Sequence, residues 1–71
     1  MPKEYSSKEI ETVLKGIGFI FVSQKGSHGK FKNSSGKTVI LPMNKKEIPY
    51  GTFRSILKQA GIDITDFVNN L

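Results

Sequence analysis

The single histidine of the chain, His28, stands in Lys25-Gly26-Ser27-His28-Gly29-Lys30-Phe31-Lys32, between glycines and among three lysines. Histidine takes up or gives up a proton near neutral pH, and lysines around it would attract and hold a phosphate. That combination suits phosphodiester chemistry. In an extended segment successive side chains point to opposite faces, so a strand over residues 28–33 would present His28, Lys30 and Lys32 on one side. Phe31, with Gly29, would lie on the other, giving one cationic face and one apolar face. Were the phosphodiester that of RNA, metal-free cleavage would require the ribose 2′-OH to attack the adjacent phosphate. A base must take its proton, an acid must protonate the leaving 5′-oxygen, and positive charge must stabilise the phosphorane. His28 can serve as general acid or base. Lys25, Lys30 and Lys32 are candidates for contacting a substrate phosphate and stabilising its charge, and Ser27 for a hydrogen bond to a phosphate oxygen. A solvated turn histidine on a basic surface would use the same residue types, so this stretch alone leaves both readings open.

Other chemistries find little support. One histidine, no cysteine and scattered Asp and Glu lack the spacing of a metal-ligand set. Lys-Gly-Ser-His fits neither the Walker nor the dinucleotide type of phosphate loop. No metal and no cofactor are expected.

Eleven Lys and Arg against six Asp and Glu give a formal net charge of +5 and a pI near 9.7, which favours an anionic partner such as nucleic acid or an acidic protein. The 71 residues are expected to form one domain spanning 1–71. Its core should be thin, because a domain of this size buries only about 60% of the surface its unfolded chain exposes. Hydrophobic content of 37% and charged content of 24% are near the globular average, and no apolar run approaches the roughly 20 residues of a membrane helix. Met1-Pro2-Lys3-Glu4-Tyr5 has no apolar h-region. A soluble, cytoplasmic protein is expected.

The elements that must position His28 are legible from periodicity. Residues 6–17 read as an amphipathic helix, with Ile10, Val13, Leu14 and Ile17 at i, i+3, i+4 and i+7. Ser6 and Glu9 form a capping-box pattern, Tyr5 and Ile10 a hydrophobic staple, and Gly16 and Gly18 supply the stop. Phe19-Ile20-Phe21-Val22 opens a first strand, and residues 26–29 make a tight reversal into the basic second strand. Asn33-Ser34-Ser35-Gly36 is a turn, and residues 37–41 form a third strand ended by Pro42. Three strands with short connections make an antiparallel meander. Residues 43–49 read as a loop crossing back over the sheet. A second helix beginning near Tyr50 to Thr52 carries Phe53, Ile56, Leu57 and Ala60 on one stripe and ends at Gly61, with Arg54 and Lys58 on its solvated side. Asp63 caps a short last helix whose Ile64, Phe67, Val68 and Leu71 are expected to close the core.

Gly26-Ser27-His28-x-Lys30-Phe31, a hydrophobic strand ending in Pro42, and Gly51-Thr52-Phe53-Arg54-Ser55-Ile56-Leu57-Lys58-Gln59-Ala60-Gly61-Ile62 together resemble the HicA toxins of bacterial and archaeal type II toxin–antitoxin pairs. The resemblance covers nearly the whole chain, and the order and separation of the motifs make it specific. It implies an α+β fold like a double-stranded-RNA-binding domain, with helix, three-stranded antiparallel sheet and helix, here followed by a short C-terminal helix. It further implies ribosome-independent endoribonuclease cleavage of mRNA, the histidine of the Gly-Ser-His motif (His28) as the active-site residue, and a HicB-type antitoxin as partner. Many relatives carry a second histidine two residues after the proline, where this chain has Asn44. Gly29 is smaller than the residue often found there and is expected to widen access to His28. Two alternatives stay open beside the nuclease: a non-catalytic RNA-binding module in which His28 and the lysines contact phosphate and 2′-OH groups, and a domain whose basic face docks an acidic protein.

Overall fold

The computed structural model describes residues 3–71. Met1 and Pro2, the first residues of the N-terminal stretch read above as lacking a signal, lie outside the described residues. Helix α1 (Ser7–Gly16) starts at the expected capping box: the Glu9 N–H donates to Ser6 Oγ at 3.0 Å, and the Ser6 N–H donates back to Glu9 Oε1 at 2.9 Å. Its stripe of Ile10, Val13 and Leu14 is buried. Strands β1 (Ile20–Lys25), β2 (His28–Lys32) and β3 (Thr38–Pro42) follow, antiparallel in the order β1-β2-β3. Helix α2 (Tyr50–Ala60) and a short helix α3 (Ile64–Asn69) complete the chain. This is the α+β arrangement expected of it.

Alternation along the strands divides the sheet as the pattern requires. Gly29 and Phe31 of β2 and Val39 and Leu41 of β3 are buried, in one core with the stripe of α1, with Phe53, Ile56, Leu57 and Ala60 of α2, and with Phe67. The ring of Phe53 stands 5.2 Å from that of Tyr5 and 4.8 Å from that of Phe67, an arrangement of tilted and edge-on aromatics. The helices pack mainly over β3. Along its outer side the Ile40 N–H donates to Gln59 Oε1 of α2 at 2.9 Å.

Two expectations need correction. The connection from β3 to α2 was expected to be a loop crossing the sheet. It instead carries a core residue, Ile48, whose N–H donates to the Tyr5 carbonyl at 2.8 Å, while Ser7 N–H donates to the Lys45 carbonyl at 2.9 Å. The segment therefore runs beside the start of α1. Second, α3 does not bury its whole stripe: Phe67 is inside, but Ile64, Val68 and Leu71 are exposed. A helix of six residues makes fewer than two turns, and it delivers one ring to a core that Tyr5 and Phe53 already close.

Candidate active site

His28 opens β2 and pairs with Lys25 of β1 on one side and Pro42 of β3 on the other. The loop between β1 and β2 is therefore only Gly26-Ser27, shorter than the expected reversal over residues 26–29. Two-residue hairpins need a positive φ at the first or both central positions to match the twist of their strands, and Gly26 supplies φ 58 at no steric cost. The Met43 N–H donates to the Ser27 carbonyl at 2.7 Å, which ties the tip of the hairpin to the chain leaving β3.

From this rung the outward face can be read off the register. Ser23, Lys30 and Ile40 form the next row across the three strands, and Ile20, Lys32 and Thr38 the one after a bulge between Phe21 and Ser23. Ser23, Lys25, His28, Lys30 and Ile40 line one open depression. Three of the five residues singled out from sequence thus meet there. Lys32 lies on the same face one row farther along β2, and Ser27 sits exposed in the turn, outside the lining.

The charge on this face is uncompensated. No Asp or Glu occurs between Glu11 and Glu47, a span that takes in the entire sheet. Among the described residues the ion pairs are Lys3–Glu9 at 3.7 Å and Lys15–Glu11 at 3.1 Å, so Lys25, Lys30 and Lys32 face solvent without a carboxylate. The His28 ring is exposed, and none of the hydrogen bonds among the described residues engages it. No three His, Asp or Glu side chains among the described residues gather where they could hold a metal ion. A polyanion could therefore lie across the lysines with one of its phosphates beside a freely accessible imidazole.

A family model described as the HicA toxin of bacterial toxin-antitoxin matches residues 7–62. The chain belongs to the HicA toxin family. No curated protein matches it. As a HicA toxin it is one component of a toxin–antitoxin pair, and the matched span contains α1, the sheet and α2 but not α3. Among the described residues no helix is long and apolar enough to cross a membrane.

Gly29 acts differently from expectation in this HicA toxin. It faces the core, away from His28, and a Cβ built on it would come within 2.9 Å of Met43 Sδ and 3.3 Å of Phe31 Cε1. Its missing side chain makes room for Met43 under the sheet and leaves access to His28 unaltered. Asn44, two residues after Pro42, is among the described residues the non-glycine one with positive φ, at 61. Asparagine is among the few residues that enter the left-handed region readily.

Three residues near the site were not picked out from sequence. Ser7 is buried, donates from Oγ to the Pro42 carbonyl and accepts from the Lys45 N–H at 3.0 Å. It thereby anchors the strand end that pairs with His28. Its signal was a polar residue at i on the stripe that continues to Ile10 and Leu14, where a hydroxyl needs a partner once buried. Ser23 and Ile40 enter the lining through register, which becomes readable once the hairpin loop is known to be two residues long.

Proposed function

We propose that this HicA toxin is a metal-independent endoribonuclease that cleaves mRNA, with His28 as general acid or base. The whole chain, 1–71, acts as one toxin domain in the cytoplasm and is held inactive by a HicB-type antitoxin. The observation that supports this reading is the convergence of an exposed imidazole and unpaired lysines, His28 with Lys25 and Lys30, in one depression on a face without carboxylates. In the proposed reaction the 2′-OH attacks the adjacent phosphorus and the bond to the 5′-oxygen breaks. The proton leaves the 2′-oxygen and another reaches the 5′-oxygen, His28 carrying one of these transfers. Lys25, Lys30 and Lys32 hold the phosphate and offset the charge that builds on it, and Ser27 donates to a phosphate oxygen. With one histidine, the second transfer falls to another group. The products are a 2′,3′-cyclic phosphate, which can open to a 3′-phosphate, and a 5′-hydroxyl.

One observation favours a second reading, a non-catalytic RNA-binding module. The His28 ring has no partner to orient it among the described residues, whereas a general base is commonly held by a third group. Incubation of the purified protein with RNA in excess EDTA separates the two. Cleavage that persists and leaves 2′,3′-cyclic or 3′-phosphate ends is expected. Binding without cleavage would favour the second reading, and a strict magnesium requirement with 5′-phosphate ends would mean a different nucleophile.

A further inference from the structure

The two edges of the sheet are treated differently. The outer edge of β3 is covered by α2, with Gln59 accepting from the Ile40 N–H. Beyond β1 there is no further strand among the described residues, and every residue of β1 is exposed. In an antiparallel pair alternate residues turn their N–H and C=O groups away from the partner strand, so β1 presents a row of such groups to solvent. Its first three side chains are large and apolar, with Ile20 66%, Phe21 43% and Val22 47% exposed. Edges of this kind are usually shielded by charge, shortness or a bulge; here the bulge lies between Phe21 and Ser23, and Lys25 stands only at the end of the strand. Apart from that bulge and lysine the edge is unshielded, and an exposed apolar edge of this kind is a template for pairing with another chain.

Charge selects the occupant. Ser23 and Lys25 of the same strand line the His28 depression, and the sheet carries lysines without a carboxylate. A second copy paired along β1 would bring a second lysine-bearing sheet with no carboxylate to offset either. A segment bearing carboxylates would be attracted instead. We propose that the antitoxin docks by adding an extended, acid-bearing strand to the free edge of β1, its apolar side chains on Ile20, Phe21 and Val22 and its carboxylates toward Lys25 and Lys30. This rests on the antitoxin pairing proposed above and is independent of whether His28 cleaves RNA. The anchor lies outside the residues assigned to chemistry, so inhibition and toxicity can be separated by substitution.

Amide hydrogen exchange of the toxin alone and in complex with a purified HicB-type antitoxin tests the proposal, together with the Ile20→Lys/Val22→Lys variant. Outward amides of residues 20–25 should exchange freely in the toxin alone and slow at least about tenfold in the complex. The double variant should still arrest growth but bind the antitoxin about 100-fold more weakly, the scale of losing two apolar anchors. Unchanged exchange in β1 on complex formation would overturn the proposal, as would wild-type antitoxin affinity in the variant. Protection that appears in the toxin alone and grows with its concentration would assign the edge to a second copy and also overturn it. Should the variant not fold, the exchange experiment on the wild-type complex decides. An antitoxin that fails to bind wild-type toxin at all would overturn the pairing itself, together with this inference.

Discussion

Along β3, Val39 and Leu41 are fully buried beneath two helices, whereas β1, two strands away in the same sheet, buries none of its six residues. The β3 side holds the aromatic cluster of Tyr5, Phe53 and Phe67, the inserted Ile48 and the Ser7 clasp on Pro42. The β1 side contributes one aromatic pair to the sheet, Phe21 edge-on against the buried Phe31 at 5.5 Å. His28 stands at the seam, in the middle strand, paired to both. Stability is thus concentrated on one side of the molecule and the proposed site on the other, which lets the hairpin present cations and an exposed imidazole without the desolvation that burial would impose on them.

Substitutions should separate the two sides. The largest effect on folding is expected from Phe53→Ala, which removes the ring between Tyr5 and Phe67. Loss of a buried phenyl group typically costs about 3–5 kcal/mol, a large share of what a domain of this size has. Urea denaturation followed by circular dichroism should show a largely unfolded protein, and a loss below about 1 kcal/mol would mean that the core is centred elsewhere.

On the other side, Lys30→Glu/Lys32→Glu should leave the denaturation midpoint nearly unchanged while weakening RNA cleavage and antitoxin binding. The salt dependence of RNA affinity should flatten by about 0.7 in log–log slope for each phosphate of a single strand that a lysine no longer neutralises. Lys8→Glu, on the exposed side of α1, should affect neither much. Equal losses in both variants would point to a diffuse basic surface with no focus at β2.

The smallest effect is expected at the cap of α1. The Glu9 carboxyl is held below its ordinary value chiefly by the Ser6 backbone N–H, with lesser help from Lys3 and the Ser6 side chain, against a desolvation that opposes it more than the charge of Lys3 assists. A carboxyl with a depressed folded value contributes stability above its unfolded value that is lost as pH falls through the folded one. Glu9→Gln should therefore flatten the acid limb of the stability curve slightly, because the side chain is 41% exposed, and leave RNA cleavage unchanged. An unaltered acid limb would mean that this cap bond contributes nothing measurable.

Local rules with one partner each were legible before the structure: the Ser6/Glu9 box, Gly61 after α2, Asp63 at the start of α3, and the alternation that sets His28, Lys30 and Lys32 opposite Phe31. Features that depend on what another element covers were not. Ile64, Val68 and Leu71 have helical spacing, but spacing cannot say whether a second surface reaches them. The same holds for Ile20 and Val22, apolar yet beyond the reach of the helices. Gly29 looked like an opening beside His28 because its neighbour, Met43, comes from a loop distant in sequence and lies on the opposite face. Within the site, Lys25 joined His28 and Lys30 through the hairpin register, while Ser27 stayed in the turn.

The most direct measurement is the rate of RNA cleavage by purified His28→Ala protein, with its thermal unfolding followed alongside. His28 is exposed and outside the core, so the variant should unfold within about 0.5 kcal/mol of wild type, yet cleave roughly 100- to 10,000-fold more slowly, the usual cost of losing a general acid or base. A folded His28→Ala protein that cleaved RNA at the wild-type rate would contradict the role assigned to His28.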